Sequence, residues 1–551
     1  MGYRKTLQDE EKFSNQMSLE EKVGNLFMFG FDNTGDSTTV TEELRTLIEQ
    51  YHVGGVIYFS RNLKSAKQAA ELSQSIQSVV KRNHKLPIII AADQEGGNVV
   101  RLKDGTIFPG NMGLGAINSK KIVYEVSRII GRELISVGIN MNLAPVLDVN
   151  TNPRNPVIGI RSFGSDPEMV ASLGGAYIEG LHSEGVLAVA KHFPGHGDTS
   201  LDSHLDLPIV NKELDELMKI HIKPFIDAIN IFNVDAIMTA HVVYPALDKE
   251  NPATLSSKIL TDLLRKKFGF NGVIMTDDME MKAISDRYSP SDASIKALKA
   301  GADLLLFSHT YSKQVEAYNA VLKAVENEHI TNKELDEKIR RVHQLKLRIT
   351  DHMSKIDPLI VGKKEHRDFE LEVAKKSVIL LKNDNRVLPI ENKRAVIIVE
   401  SKIGVLLQVE EKQQPLYLSE VLKNSLKKIK SIIINKDLSN NDYSKVFKLL
   451  EDDNTAVFLA VILSKEDAEF FNKIVRNNKY DNDTVTILLK NPFLINYLDT
   501  NLSDSIVIGY AHTPCMIVAI SELITGKIKP NGRLPVNLNE EYKIGYGMRD
   551  F

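Results

Sequence analysis

The chain has no tryptophan and a single cysteine, Cys515, among its 551 residues. One thiol excludes an internal disulfide and any zinc cluster built on cysteine. No apolar run reaches the roughly 20 residues that span a bilayer, so no membrane partner is expected. The net charge of −3 offers no basic surplus for nucleic acid or anionic lipid. The first residues, MGYRKTLQDEEKF, hold no apolar segment of the signal-peptide kind, and Met1-Gly2 is not followed by a basic stretch. No glycine-rich phosphate loop follows any apolar run, which removes a nucleotide and leaves no cofactor to expect. With 43% hydrophobic and 26% charged residues, the composition is that of an ordinary soluble globular protein, and with no signal peptide or spanning run visible a cytoplasmic location is expected.

The length implies two or three domains. Ser18 begins a capped helix, with Glu21 three residues on. Apolar runs at 26–31, 55–59, 88–92, 141–147, 186–191, 236–240, 273–276 and 302–308 come next. Helical patterns at 66–81, 120–137, 169–184, 212–229 and 257–268 lie between them. Eight such strands predict a (β/α)8 TIM-like barrel over 1–330. An open doubly wound sheet would give a similar alternation, but here the pattern changes after the eighth strand. A charged helix and crossing segment at 331–370 reads as a linker. Further apolar runs at 378–382, 395–399, 431–434, 456–462, 484–489 and 505–509 predict a smaller doubly wound α/β domain over 371–551.

The stretch 191–208, KHFPGHGDTSLDSHLDLP, carries the densest chemistry. It holds His192, His196, His204, Asp198, Asp202 and Asp206, where the fifth strand runs out into a loop. Such loops are polar as a rule, and three imidazoles can also suggest a metal. Pro194 and the glycines prevent the helix that would set His192 and His196 one turn apart, so no metal site is expected. Asp202 stands two residues before His204, where a carboxylate can fix an imidazole's tautomer and favour its protonated form. Other strand ends are polar too: Asp93-Gln-Glu with Arg101 beyond, Asp148 and then Arg161, Lys191-His192, His241, and Asp277-Asp278. One such residue can be a helix cap. A ring of them at one mouth of a barrel points to a site for a hydroxyl-rich ligand.

These motifs resemble glycoside hydrolase family 3, and within it the β-N-acetylglucosaminidases. DQEGG with Arg101, NLAPVLDVN, NPVIGIRSFG, KHFPGHG with the DSH triplet, and GVIMTDDMEM carry the resemblance over residues 18–310; SVILLKN and GRLPV extend it loosely. It implies a retaining enzyme that removes terminal, non-reducing β-linked N-acetylglucosamine. Asp277 would be the nucleophile, with His204 the acid/base and Asp202 its partner. Asp93, Arg101, Arg161, Lys191 and His192 would grip the sugar. The chain departs from the family at Asn98, where an arginine is usual; Arg101 is kept. Lacking tryptophan, a sugar pocket must use Phe or Tyr, or be mostly polar.

An imidazole acid/base is neutral once it has given up its proton, so it repels anions less than a carboxylate does. Phosphate is then an alternative second nucleophile, and a phosphorylase an alternative reading. A β-glucosidase or β-xylosidase would take its acid from the second domain, against the DSH triplet. A silent sugar sensor is opposed by intact Asp202, His204 and Asp277. The implied substrate is an N-acetylglucosamine-containing disaccharide or muropeptide from cell-wall fragments; the oligomeric state is left open.

Overall fold

A computed structural model describes residues 17–31, 37–83, 86–350, 355–402, 416–435 and 439–551. Ser18 caps the helix Leu19–Gly24 and receives Glu21 in return. Eight parallel strands come after it: β1 (Phe27–Gly30), β2 (Gly55–Tyr58), β3 (Ile89–Ala92), β4 (Met141–Asn142), β5 (Leu187–Phe193), β6 (Ala236–Thr239), β7 (Val273–Asp278) and β8 (Leu304–Phe307). They pair in sequence order, and β1 closes on β8 with Met28 opposite Leu306. The barrel read from the alternation is therefore closed. Its interior is filled by side chains such as Met28, Ile89, Met141, Val189, Met238 and Met275. The opposite strand faces, Phe27, Phe29, Val56 and Ile90 among them, pack beneath the surrounding helices.

Two local irregularities shape one mouth of the barrel. Ala190 pairs with Ile237 and Phe193 with Thr239, so β5 holds one residue more than β6 over that interval. Met275 pairs with Leu304 and Asp278 with Leu306, so β7 likewise exceeds β8 by one. Neighbours on a regular strand face opposite ways. An inserted residue breaks that alternation and re-aims side chains. β4 is shorter than the apolar run 141–147, because Pro145 has no N–H to pair; beyond it the contact with β5 continues through the Ala144 and Pro145 carbonyls, which accept the Val189 and Lys191 N–H groups at 3.0 and 3.2 Å, to a bridge between Val146 and Lys191.

The helix Asn332–Thr350, in the stretch expected to link the domains, closes the far end of the barrel. Its Val342, Leu345 and Ile349 join the interior core. Arg341 pairs at 2.8 Å with Asp303, just before β8, and Arg348 pairs with Asp235, just before β6. Lys346 reaches Asn25 Oδ1 at 2.6 Å, and burial pulls its ammonium down to about 7.

The second sheet comprises β9 (Ile379–Asn383), β10 (Ala395–Ser401), β11 (Lys428–Ile434), β12 (Val457–Ile462), β13 (Thr484–Leu489) and β14 (Ser505–Gly509). Their order is β11-β10-β12-β13-β14-β9, parallel throughout except that β9 runs against β14. One of its cores takes in Met112 and Ala116, from a helix (Asn111–Ile117) that belongs to the barrel. No helix among the described residues is long and apolar enough to cross a membrane.

Candidate active site

The C-terminal mouth of the barrel holds a pocket of about 220 Å³. Asp93, Arg101, Arg161, Lys191, His192, His204 and Asp277, all singled out from the sequence, line it. Asp202 stands behind His204 and holds it. Its Oδ1 is 2.7 Å from His204 Nδ1 and also accepts the His204 backbone N–H at 2.9 Å. That engages Nδ1 and leaves Nε2 as the ring nitrogen not held by Asp202.

One wall is a chain of alternating charges. Arg101 meets Asp93 at 3.4 Å, and Lys191 lies 2.7 Å from both Asp93 and Glu95. Arg161 then holds Glu95 through two bonds, of 2.9 and 2.8 Å. Glu95 does not stand out in the sequence as a site residue, yet it occupies Arg161 and shares Lys191. Burial acts to raise Asp93 and Glu95, but the cations beside them outweigh it and keep both well ionised. Burial likewise opposes the charge on Lys191, and Asp93 and Glu95 restore it. The turn after Glu95, which brings the chain back through Val99 to Arg101, needs Gly96 and Gly97, whose φ angles are +94° and +60°. Asn98 lines a separate void of about 10 Å³ beside Glu95 and Arg161, not the main pocket.

Lys191 and His192 are consecutive, and the extra residue of β5 lets both line the pocket. His192 Nδ1 bonds Asp148 Oδ2 at 2.7 Å, and Asp148 also accepts the His196 N–H at 2.6 Å. Asp148 is fully buried and was visible in the sequence only as one more strand-end carboxylate. His196 is spent on the loop itself, through Thr199 at 2.9 Å and Ser203 at 3.0 Å. Burial drives its proton affinity down to about 4, so it is neutral. The three imidazoles thus share no side-chain partner: His192 has Asp148, His196 has Thr199 and Ser203, and His204 has Asp202. Ser203, fixed by His196, precedes His204 directly.

Across the pocket, β7 ends in Asp277 and Asp278. Burial works to raise Asp277; the imidazoles of His192, His241 and His204 win, and its carboxyl sits at about 2. His241 donates or accepts through Thr254 at 2.7 Å and bonds the Asp278 carbonyl at 2.9 Å. Phe59 is the aromatic side chain that lines the pocket, with Arg61 4.4 Å and Arg101 5.6 Å from its ring centre.

A barrel mouth offering an ionised carboxylate, a separate imidazole and a wall of fixed polar groups has the parts that glycoside hydrolysis needs. The chain belongs to glycosyl hydrolase family 3. The sequence model of that family's N-terminal domain matches residues 18–345, more than half of the chain. It is 38% identical over 385 residues to "Beta-hexosaminidase A" of Pseudoalteromonas piscicida, a match spanning 65% of this chain and 64% of that protein. A "Beta-hexosaminidase" of Nitrosomonas eutropha is 35% identical over 334 residues, covering 58% of this chain and 94% of its own length. Among solved structures, a family 3 β-N-acetylglucosaminidase from Paenibacillus sp. str. FPU-7 superimposes with a TM-score of 0.86 at 35% identity, over 95% of this chain and 99% of that one.

Proposed function

We propose that the protein is a retaining exo-β-N-acetylglucosaminidase that works through a covalent sugar ester on Asp277. The observation that carries this is the shared pocket: Asp277 is held ionised in it, and His204, locked by Asp202, lines it too. Asp277 attacks the anomeric carbon while His204 gives its proton to the departing oxygen. His204 then takes a proton from water, whose oxygen displaces Asp277 and restores both groups. Asp202 fixes the tautomer and stabilises the charged imidazole. Asp93, Arg101, Lys191 and His192 grip the sugar, with Arg161 acting through Glu95.

The preference for an acetamido sugar is supported by the names of the relatives. The pocket volume of about 220 Å³ is below the ~300–1,000 Å³ of sites for drug-sized ligands. It suits one ring, and so removal of terminal units. Cell-wall disaccharides and muropeptides taken into the cytoplasm are the substrates proposed; a chain with one cysteine has no need of an oxidising compartment.

Release of nitrophenol from a β-N-acetylglucosaminide, with and without phosphate, tests the reading. Expected are phosphate-independent release and β-N-acetylglucosamine as the first product seen by NMR. Formation of a sugar 1-phosphate would turn the reading to phosphorolysis. Asp277→Asn should lose about a thousandfold or more in kcat; a variant keeping a tenth of the rate would remove Asp277 as nucleophile.

A further inference from the structure

We propose that Asp278 is a second substrate-contacting carboxyl, donating a hydrogen bond from Oδ2 to a sugar oxygen beside the reacting carbon. The proposal rests on the glycosidase reading above. Its basis is the extra residue in β7, which leaves Asp277 and its neighbour lining the same pocket. Consecutive Cα atoms lie about 3.8 Å apart. A sugar whose reacting carbon meets Asp277 therefore meets Asp278 at the same end.

The two oxygens of Asp278 have different surroundings. Oδ1 accepts the N–H of Glu280 at 3.0 Å and that of Ser308 at 3.2 Å. Two donors hold Oδ1 as the acceptor, so a proton on this carboxyl resides on Oδ2. Oδ2 faces His309 Nε2 at 3.5 Å, beyond a good hydrogen bond. The side chain is 14% exposed, and His309 lines the pocket beside it.

The charged and titratable neighbours come from several elements. Asp277 and Glu280 flank it along the chain. His309 follows β8, and Lys313 lies 3.5 Å from Glu280. His241 comes from the end of β6, His192 and His204 from β5 and its loop, and Arg101 from beyond β3. Burial, helped by Glu280 and Asp277 and opposed by the Glu280 and Ser308 N–H groups, pushes Asp278 up to about 7. The neutral acid, and with it the donated bond, prevails below that pH. As pH rises through about 7, the proton leaves and an anion faces the sugar oxygen.

Asp278→Asn supplies the test, since its carbonyl can keep the Glu280 and Ser308 N–H groups while its NH2 takes the place of Oδ2 as a permanent donor. Binding of free N-acetylglucosamine and of glucose to the full chain is measured by calorimetry from pH 6 to 8.5. Wild-type affinity should fall about tenfold across that range. Asp278→Asn should show no fall, and His309→Gln should fall as the wild type does. A fall confined to N-acetylglucosamine identifies the acetamido oxygen as acceptor; a fall with both sugars identifies the ring oxygen, because a hydroxyl would turn to donate to the anion. A flat wild-type profile, the same slope in Asp278→Asn, or a slope abolished by His309→Gln would overturn the proposal. No binding of either sugar at any pH would sink the glycosidase reading itself, and this proposal with it.

Discussion

At the scale of single residues, chemistry here depends on which proton sits where. Asp277, at about 2, is ionised throughout any working pH range, so an acid limb in kcat/KM reports some other group. A donor on His204 matters most when the leaving group is poor. His204→Ala should therefore be mild on nitrophenyl sugars in the first step and severe on a natural disaccharide. Without a base for water, the glycosyl ester should accumulate, and azide should speed turnover and give the β-azide. Asp202→Ala should do the same more weakly, because His204 stays but loses the carboxylate that fixes its tautomer and orientation. Rates on good and poor leaving groups, with and without azide, decide this; equal losses with no azide response would place the acid elsewhere. The strand-end position of Asp93, Lys191 and Asp277 made their place at the pocket legible. The parts of Glu95 and Asp148, itself legible only as a strand-end carboxylate, were not, because each is defined by what it holds, Arg161 with Lys191 and His192 with His196. Pairings over 40 and more residues leave no mark in local sequence.

Among the elements, strands were easy to read because a parallel strand buried on both faces is a continuous apolar run. The extra residues in β5 and β7 were not readable: Lys191-His192 and Asp277-Asp278 have the composition of any strand end. The direction of β9 was equally hidden, since SVILLKN suits either orientation. The helix Asn332–Thr350 was legible as a helix, but its task was not. Its charged residues outnumber the three apolar ones that enter the barrel. Leu345→Ala should cost roughly 2–5 kcal/mol, the usual range for emptying a packed leucine site. Activity per folded molecule should hold, because Leu345 lies at the end away from the pocket. Urea unfolding together with active-site titration checks both; a loss of kcat without loss of stability would contradict this account of the helix.

For the molecule as a whole, the second domain contributes no side chain to the pocket among the described residues. It reaches the site through the loop that follows Arg101. Glu133 Oε1 accepts from Thr106 Oγ1 at 2.6 Å, lies 2.7 Å from His366 Nδ1 and accepts the Gly362 N–H at 3.0 Å; its Oε2 accepts the Thr106 N–H at 2.7 Å. One buried carboxylate thus ties the loop after Arg101 to the segment leading into the second domain. Glu133→Gln puts an amide donor among donors and should cost about 1–3 kcal/mol. If the tie positions Arg101, KM should rise several-fold while kcat changes less than twofold. Lost stability with an unmoved KM would make the tie purely structural.

Closure of the barrel through β1 and β8 also fixes an order of events at birth. Phe27 finds its partner Leu305 only after about 280 further residues have been made. At roughly 5–20 residues per second, β1 waits about 15–55 s with the edge that β8 will cover still bare, although β2 is available for the other edge within seconds. The helix that seals the barrel floor arrives later still. For that interval Phe27, Met28 and Phe29 are an adhesive strand on a ribosome, not part of a folded enzyme. Yield in a foreign host is thus expected to follow the supply of chaperones at the ribosome exit more closely than the melting point of the finished barrel.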